Sequence, residues 1–351
     1  MDHILVTGGA GFIGSNFIPF YLEQNLNVHL VNLDILSYAG DEKNLLEVAD
    51  HKRYTFVKGD ICDRRFIEEL FEEYDFKGVI HFAAESHVDN SITNPDAFMQ
   101  ANILGTFNLL DTAKKRWMAA PGVYHTDYGN CRFHHVSTDE VYGSLGVTGL
   151  FTETTPYAPN SPYSASKASS DFIVRSYFHT FGMDVVTTNC SNNYGPKQHD
   201  EKLIPTIIRK ALKGEAIPIY GDGSNVRDWL FVLDHCTGIA LAYEKGVSGE
   251  TYNIGGRNER NNLYIATKIC DLLDAYAPSK TGKSYKDQIS YVKDRAGHDF
   301  RYAIDAGKIE NELGWKADEN FETGITKTVR WYLNKFSGHK EGASTLINTK
   351  L

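Results

Sequence analysis

At 351 residues, with 42% hydrophobic residues and a net charge of −9, the chain is long enough for two lobes with substantial cores. The acidic balance, without a basic stripe, argues against nucleic acid, and no apolar run approaches the ~20 residues that span a bilayer. Five cysteines (Cys62, Cys131, Cys190, Cys236, Cys270) are widely spaced and lack a C-x-x-C pair, which predicts reduced thiols in a cytoplasmic protein rather than disulfides or zinc.

The first predicted element is the apolar strand Ile4-Leu5-Val6, which starts too early to leave room for a signal peptide. It runs into Gly8-Gly9-Ala10-Gly11-Phe12-Ile13-Gly14 and then the helix-like stretch Ser15 to Gln24. The glycines fit both G-x-x-G-x-x-G and G-x-G-x-x-G. Such spacing allows a tight turn and brings backbone N–H groups against a pyrophosphate at a helix N-terminus. A second strand, Val28 to Leu33, ends at Asp34, twenty residues after Gly14. An acid there can accept hydrogen bonds from the adenosine ribose and repels a 2′-phosphate, which favours NAD over NADP. Alone, Asp34 would also serve as a loop cap; strand, glycines, helix, strand and acid in that order predict a dinucleotide fold.

Further strands are predicted at Tyr54 to Val57, Val79 to Ala83, Phe133 to Val136 and Asp184 to Thr188, with helices at Arg64 to Tyr74, Pro95 to Arg116 and Ser164 to Phe181. This alternation predicts a Rossmann-type, doubly wound parallel α/β sheet over residues 1–189. A smaller C-terminal α/β substrate-binding domain is expected from residues 190–225 and 257–336. Helices are expected at Leu203 to Lys213, Leu263 to Ala277, Ala306 to Leu313 and Thr323 to Lys335. Trp229 to Leu233 and Thr251 to Ile254 read as strands that return to the first lobe within 226–256, and 337–351 reads as a polar tail.

The chemistry is concentrated in Ser137-Thr138-Asp139-Glu140-Val141-Tyr142-Gly143 and Tyr163-Ser164-Ala165-Ser166-Lys167. Four residues of spacing puts Tyr163 and Lys167 on one helix face, and the lysine is expected to lower the tyrosine's pKa toward use as a general base. Asp139 and Glu140 in isolation could simply cap a strand. Beside a cofactor motif and Tyr163, an additional acid and base point to an elimination, with water the obvious leaving group. Histidines 134, 135 and 235 read as core or strand-end residues without metal-ligand spacing.

The glycine-rich start and Tyr-x-x-x-Lys resemble the extended short-chain dehydrogenase/reductase superfamily. Further motifs narrow the resemblance: Ala83-Ala84-Glu85-Ser86-His87-Val88-Asp89, Ser191-Asn192-Asn193-Tyr194-Gly195-Pro196, Glu201-Lys202-Leu203-Ile204-Pro205, Arg227-Asp228-Trp229 and Asp294-Arg295-Ala296-Gly297-His298-Asp299. With Thr138-Asp139-Glu140, these resemble the dTDP-glucose 4,6-dehydratase family in order from Met1 to Phe336.

The resemblance implies that Tyr163 takes the proton of the glucose 4-hydroxyl while NAD⁺ accepts hydride, with Thr138 bonded to the same oxygen and Lys167 on the nicotinamide ribose. Glu140 would take the C5 proton and protonated Asp139 would protonate the departing C6 hydroxyl. The NAD site would comprise Gly8, Gly11, Phe12, Ile13, Gly14, Asp34, Ser37, Asp60, Ile61, Ala83, Ala84, Tyr163, Lys167 and Asn193. The nucleotide-sugar site would comprise Ser86, Thr138, Asn192, Lys202, Leu203, Pro218, Tyr220, Arg227, Asn262, Arg295 and His298, with the arginines on the diphosphate. A homodimer built on the helices Pro95 to Arg116 and Ser164 to Phe181 is also implied. Asn90, Ala101, Lys197, Asp200 and Ala296 depart from the family pattern, and those near the nucleotide pocket leave UDP-glucose open as a substrate. An NAD-dependent 4-epimerase would need Tyr163 and Lys167 but not the acid pair, and a non-catalytic NAD sensor would need none of them.

Overall fold

A computed structural model describes residues 1–294 and 297–337. Seven parallel strands form the main sheet: β1 (Asp2–Thr7), β2 (Val28–Asp34), β3 (Tyr54–Lys58), β4 (Gly78–His81), β5 (Arg132–Thr138), β6 (Val185–Cys190) and β7 (Thr251–Ile254). Their order is β7-β6-β5-β4-β1-β2-β3. Every pairing is parallel, with Thr7 level with His81, His81 with His135, and Thr138 with Cys190. Chain order reverses between β1 and β4, and that switch point opens a crevice beyond the carboxyl ends of the strands.

Both sheet faces are covered, so the strands are nearly continuous apolar runs. On one face α1 (Phe12–Gln24) packs with the helix Val232–Lys245, through Phe17, Ile18, Tyr21, Cys236 and Ile239. On the other face α2 (Arg64–Tyr74), α3 (Thr106–Trp117) and α4 (Pro162–Phe181) bury Leu70, Phe71, Leu110, Trp117, Val174 and Tyr177. A third cluster, centred on Tyr194, Ile207, Phe231, Ile269 and Tyr332, forms the core of the smaller lobe.

Three elements differ from expectation. The strand expected at Trp229–Leu233 is Val226–Phe231, and it pairs with Asn192–Tyr194 and Glu259–Asn261 in a smaller sheet, not with the main one. Residues 232–245 are the helix on the main sheet, which sequence reading missed. The single helix expected over Pro95–Arg116 is interrupted by a π-helical stretch at Met99–Gly105, stabilised by buried Asn102. Asn102 donates to the Glu85 carbonyl (3.0 Å) and to Ser166 Oγ (2.8 Å), and accepts from Glu85 N–H (2.8 Å). Such local widening is common beside functional sites. The polar tail beyond Ser337 lies outside the described residues.

All five cysteines are free, and no helix among the described residues is long and apolar enough to cross a membrane. His134, His135 and His235 are fully buried, and burial holds their pKa values down.

Candidate active site

A cleft of about 480 Å³ lies at the switch point. One end is the glycine turn. Gly8 has φ +71°, and a Cβ on it would sit 2.6 Å from the backbone of Ala83. A Cβ on Gly14 would sit 2.6 Å from the Gly9 Cα, so α1 can press onto the turn only with glycine there. Gly11 precedes the first turn of α1, whose unpaired N–H groups and dipole favour an anion.

At the end of β2, Asp34 accepts from Ala10 N–H (2.9 Å) and Leu36 N–H (2.8 Å). Burial raises its pKa and those two bonds oppose the rise. Asp60 similarly accepts from Cys62 N–H at 2.8 Å. All of the residues expected at the NAD site line this cleft: Gly8, Gly11, Phe12, Ile13, Gly14, Asp34, Ser37, Asp60, Ile61, Ala83, Ala84, Tyr163, Lys167 and Asn193. Asn193 Oδ1 is buried without a hydrogen-bond partner among the described residues. A glycine cradle, an acid one strand away and an unpaired amide oxygen fit an adenine dinucleotide.

The other end is built by β5 and α4. Helix α4 begins with a reciprocal capping box between Ser161 and Ser164, with Pro162 at its first turn, and closes on Gly182 in the left-handed conformation. These signals set its register and bury Tyr163 and Lys167 on one face. Thr138 ends β5, and Asp139 and Glu140 sit in the 3₁₀ turn Asp139–Tyr142, whose Glu140 N–H donates to Thr138 Oγ1 at 3.3 Å. Thr138, Asp139, Glu140, Tyr163 and Lys167 therefore converge on one floor.

Asp139 is 2% exposed, and its Oδ2 has no partner among the described residues. Burial, then Glu140 and Asp228, push its pKa well above the carboxylate range against the pull of Arg227. Burial thus favours the protonated, neutral form of Asp139.

Tyr163 corrects the sequence expectation. Burial, then Glu140 and Cys190, raise its pKa well above that of a free phenol, and a hydrogen bond with Thr138 opposes the rise. Lys167 donates to the Val136 carbonyl at 2.9 Å. The protein alone therefore keeps Tyr163 protonated, because burial, with the Glu140 carboxylate from another element, disfavours the phenolate.

Of the residues expected on the sugar nucleotide, Ser86, Thr138, Asn192 and Lys202 line the cleft. Lys202 Nζ donates to the Ser86 carbonyl at 3.0 Å. Leu203, Pro218, Tyr220, Arg227, Asn262 and His298 lie outside this wall, and Arg295 lies outside the described residues. Arg227 is buried, with its guanidinium 4.3 Å above the Tyr302 ring and donating to the carbonyls of Val226, Asp299 and Phe300. Its guanidinium clamps the backbone of three residues of the smaller lobe. His298 Nδ1 lies 2.6 Å from Asp294.

Several wall residues escaped sequence reading, among them Tyr38, Gln100, Cys190 and His199. Tyr38 carried no motif; its ring stands edge-on to His199 at 5.5 Å, across the cleft mouth. The departures Lys197 and Asp200 anchor that mouth. Lys197 donates to the Ser15 carbonyl (3.0 Å) and Glu47 (2.6 Å), and Asp200 pairs with Lys335 (2.8 Å).

A doubly wound sheet with this cleft and Tyr-x-x-x-Lys on α4 defines an extended short-chain dehydrogenase/reductase. The family model described as GDP-mannose 4,6 dehydratase matches residues 5–328. A dTDP-glucose 4,6-dehydratase of Xanthomonas campestris pv. campestris (strain B100) is 55% identical, covering 94% of this chain and 92% of its own. The crystal structure of a dTDP-glucose 4,6-dehydratase from Streptomyces venezuelae, with NAD bound, superposes with TM-score 0.86 at 44% identity, covering 96% and 99% of the two chains. A UDP-glucose 4-epimerase from Thermotoga maritima matches with TM-score 0.82 at 27% identity, covering 95% and 99%. The chain belongs to the dTDP-glucose 4,6-dehydratase family.

Proposed function

We propose that this protein is an NAD-dependent hydro-lyase that converts dTDP-glucose to dTDP-4-keto-6-deoxy-glucose, for deoxysugar biosynthesis of the rhamnose type. The observation that carries the reading is the acid pair: a buried Asp139, whose surroundings favour its proton, beside Glu140 and on the same floor as Tyr163. The fold itself does not separate a dehydratase from an epimerase. The acid pair does, because moving a hydride at one carbon needs no second acid and base.

NAD⁺, when bound, supplies a hydride acceptor for C4, a hydride donor for C6 and a positive charge beside the phenol. Gly8, Gly11 and Gly14 with the N-terminus of α1 would receive its pyrophosphate, Asp34 its adenosine ribose, and Lys167 its second ribose. Tyr163, once ionised, takes the 4-hydroxyl proton, with Thr138 holding that oxygen. The resulting 4-ketone acidifies C5–H, whose proton Glu140 takes. Asp139 gives its proton to the C6 hydroxyl, which leaves as water, and hydride return at C6 is balanced by return of a proton to C5. The two carboxyls can divide these tasks because burial, and the Glu140 carboxylate next to it, favour the proton on Asp139. Ser86, Asn192 and Lys202 would hold the nucleotide sugar at the mouth.

We further infer a cytoplasmic homodimer. Phe172 on α4 (57% exposed) and Leu104 (46%) just before α3 present apolar surface on two adjacent helices, and a second copy would cover them. A stable monomer by sedimentation at micromolar concentration would refute the dimer.

The deciding assay is incubation with dTDP-glucose, followed by the alkali-induced ultraviolet chromophore of a 4-keto-6-deoxy sugar. A chromophore without release of NADH is expected. Formation of dTDP-galactose, or stoichiometric NADH, would replace the dehydratase reading with an epimerase or a simple dehydrogenase.

A further inference from the structure

The turn that carries the acid pair is pinned on both sides by one chain of buried hydrogen bonds. On its N-terminal side, Ser137 Oγ donates to Asp171 Oδ2 at 2.9 Å. Tyr157 OH donates to the same oxygen at 3.0 Å and accepts from Asn189 Nδ2 at 3.3 Å. The second hydrogen of that amide goes to Tyr142 OH at 2.9 Å, and Tyr142 OH in turn donates to Asn253 Oδ1 at 2.9 Å. Ser137 and Tyr142 flank Thr138, Asp139, Glu140 and Val141. The chain of bonds thus draws on β5, α4, β6 and β7 to fix both ends of four residues.

Each tyrosine hydroxyl accepts once and donates once, and a satisfied buried chain of this kind holds its members rigidly. Tyr142 is itself buried; its ring stacks on Phe151 and meets Tyr157 edge-on, with centroids 5.2 Å away in both cases. Packing alone would be served equally by a phenyl ring. Tyr142, Tyr157, Asn189 and Asn253 lie outside the cleft wall, so they act on the reactants through the turn. Within the turn, the two ends differ in support. Thr138 is the last residue of β5 and is level with Cys190 in the sheet. Asp139 and Glu140 lie beyond that ladder, and the chain is next fastened at Val141, whose carbonyl accepts from Ala158 N–H at 3.0 Å, and at Tyr142.

We propose that Tyr142, seated between Asn189 and Asn253, is a positioning residue that sets the aim of Asp139 and Glu140. It serves the elimination and not the oxidation that precedes it. The oxidation uses Tyr163, on α4, and Thr138, which the sheet holds. The elimination uses the two carboxyls, which the sheet does not hold and the Tyr142 hydroxyl does.

The proposal rests on the dehydratase reading. Failure of that reading would appear as wild-type protein that forms no 4-keto-6-deoxy product, whereas failure of this one leaves wild-type turnover intact. The test is Tyr142→Phe, which keeps the ring and its stacking and removes the hydroxyl. In a single turnover of the holoenzyme with dTDP-glucose, the absorbance of reduced cofactor reads the oxidation and quenched product reads the elimination. The oxidation should stay within about twofold of wild type, while the elimination slows by about 10–100-fold, the loss that a misplacement of up to about 1 Å produces. Reduced cofactor and the 4-keto-glucose nucleotide should therefore accumulate in the variant. A merely structural hydroxyl would lower the melting temperature, or slow both steps together, without that accumulation. Wild-type elimination in folded Tyr142→Phe, or equal slowing of the two steps, overturns the proposal. If Tyr142→Phe does not accumulate as folded protein, Asn253→Ala decides: it removes the acceptor of the same hydroxyl from β7, should give the same split between the steps, and overturns the proposal if it does not.

Discussion

Replacing Asp139 by asparagine isolates its proton from its shape. In the folded protein Asp139 sits in a buried site that favours its protonated form, so the amide nearly reproduces that form, including the long contact between Thr138 Oγ1 and Oδ1 (3.5 Å). The variant should fold and bind cofactor, but it cannot protonate the C6 hydroxyl. General acid catalysis contributes about 10²–10⁴-fold, equivalent to about 2.7–5.4 kcal/mol of barrier. Product formation should slow by that factor while exchange of the C5 proton with solvent deuterium survives. Stability should change in the opposite sense. The folded pKa of Asp139 is raised, so the stability linked to its proton is fully present below the unfolded carboxylate value and is lost as pH rises toward the folded value. Asparagine does not titrate. The melting temperature of Asp139→Asn relative to wild type should therefore rise with pH above the ordinary carboxylate range. Rapid-quench kinetics in deuterated buffer and a pH series of thermal melts read the two effects. Near-wild-type dehydration, or a relative melting temperature that falls with pH, would refute the reasoning.

Glu140→Gln should stall after the first oxidation: the 4-keto-glucose nucleotide and reduced cofactor accumulate on the enzyme, visible as a persistent absorbance near about 340 nm, and product falls by about 10²–10⁴-fold. Tyr163→Phe should block that oxidation, so the same absorbance never develops; its appearance at wild-type rate would remove Tyr163 from the role of base. Gly8→Ala should destabilise the protein by at least about 1 kcal/mol in denaturant melts. Its Cβ would meet the Ala83 backbone at 2.6 Å, and cofactor should be lost on gel filtration; unchanged stability would show that the turn tolerates a side chain.

Much of this protein is legible locally. The glycine turn, the register of α4 and the shared face of Tyr163 and Lys167 follow from backbone geometry and capping over a few residues, so sequence alone determines them. The doubly wound sheet follows from the alternation of apolar strands with helical stretches. The helix Val232–Lys245 was not legible. Asp234, His235 and Gly238 fall on its buried side, and polar or flexible residues there blur the apolar period that marks a helix. The π-helical stretch was hidden for a related reason: the preference of buried Asn102 for Glu85 and Ser166 is set by partners 17 and 64 residues away.

Tertiary structure alone decided the electrostatics. Read along the chain, Lys167 is the nearest charge to Tyr163, and a lowered phenol pKa follows. Folding instead removes that phenol from water and brings the Glu140 carboxylate from the turn after β5 near it, which reverses the sign. The same holds for Arg227, whose backbone-carbonyl partners Asp299 and Phe300 lie in a segment that sequence spacing does not bring to it. Residue type and spacing determine which groups can react. Desolvation and the charges that converge from distant segments determine which of them hold a proton, because both depend on distances that exist only once the chain has closed on itself.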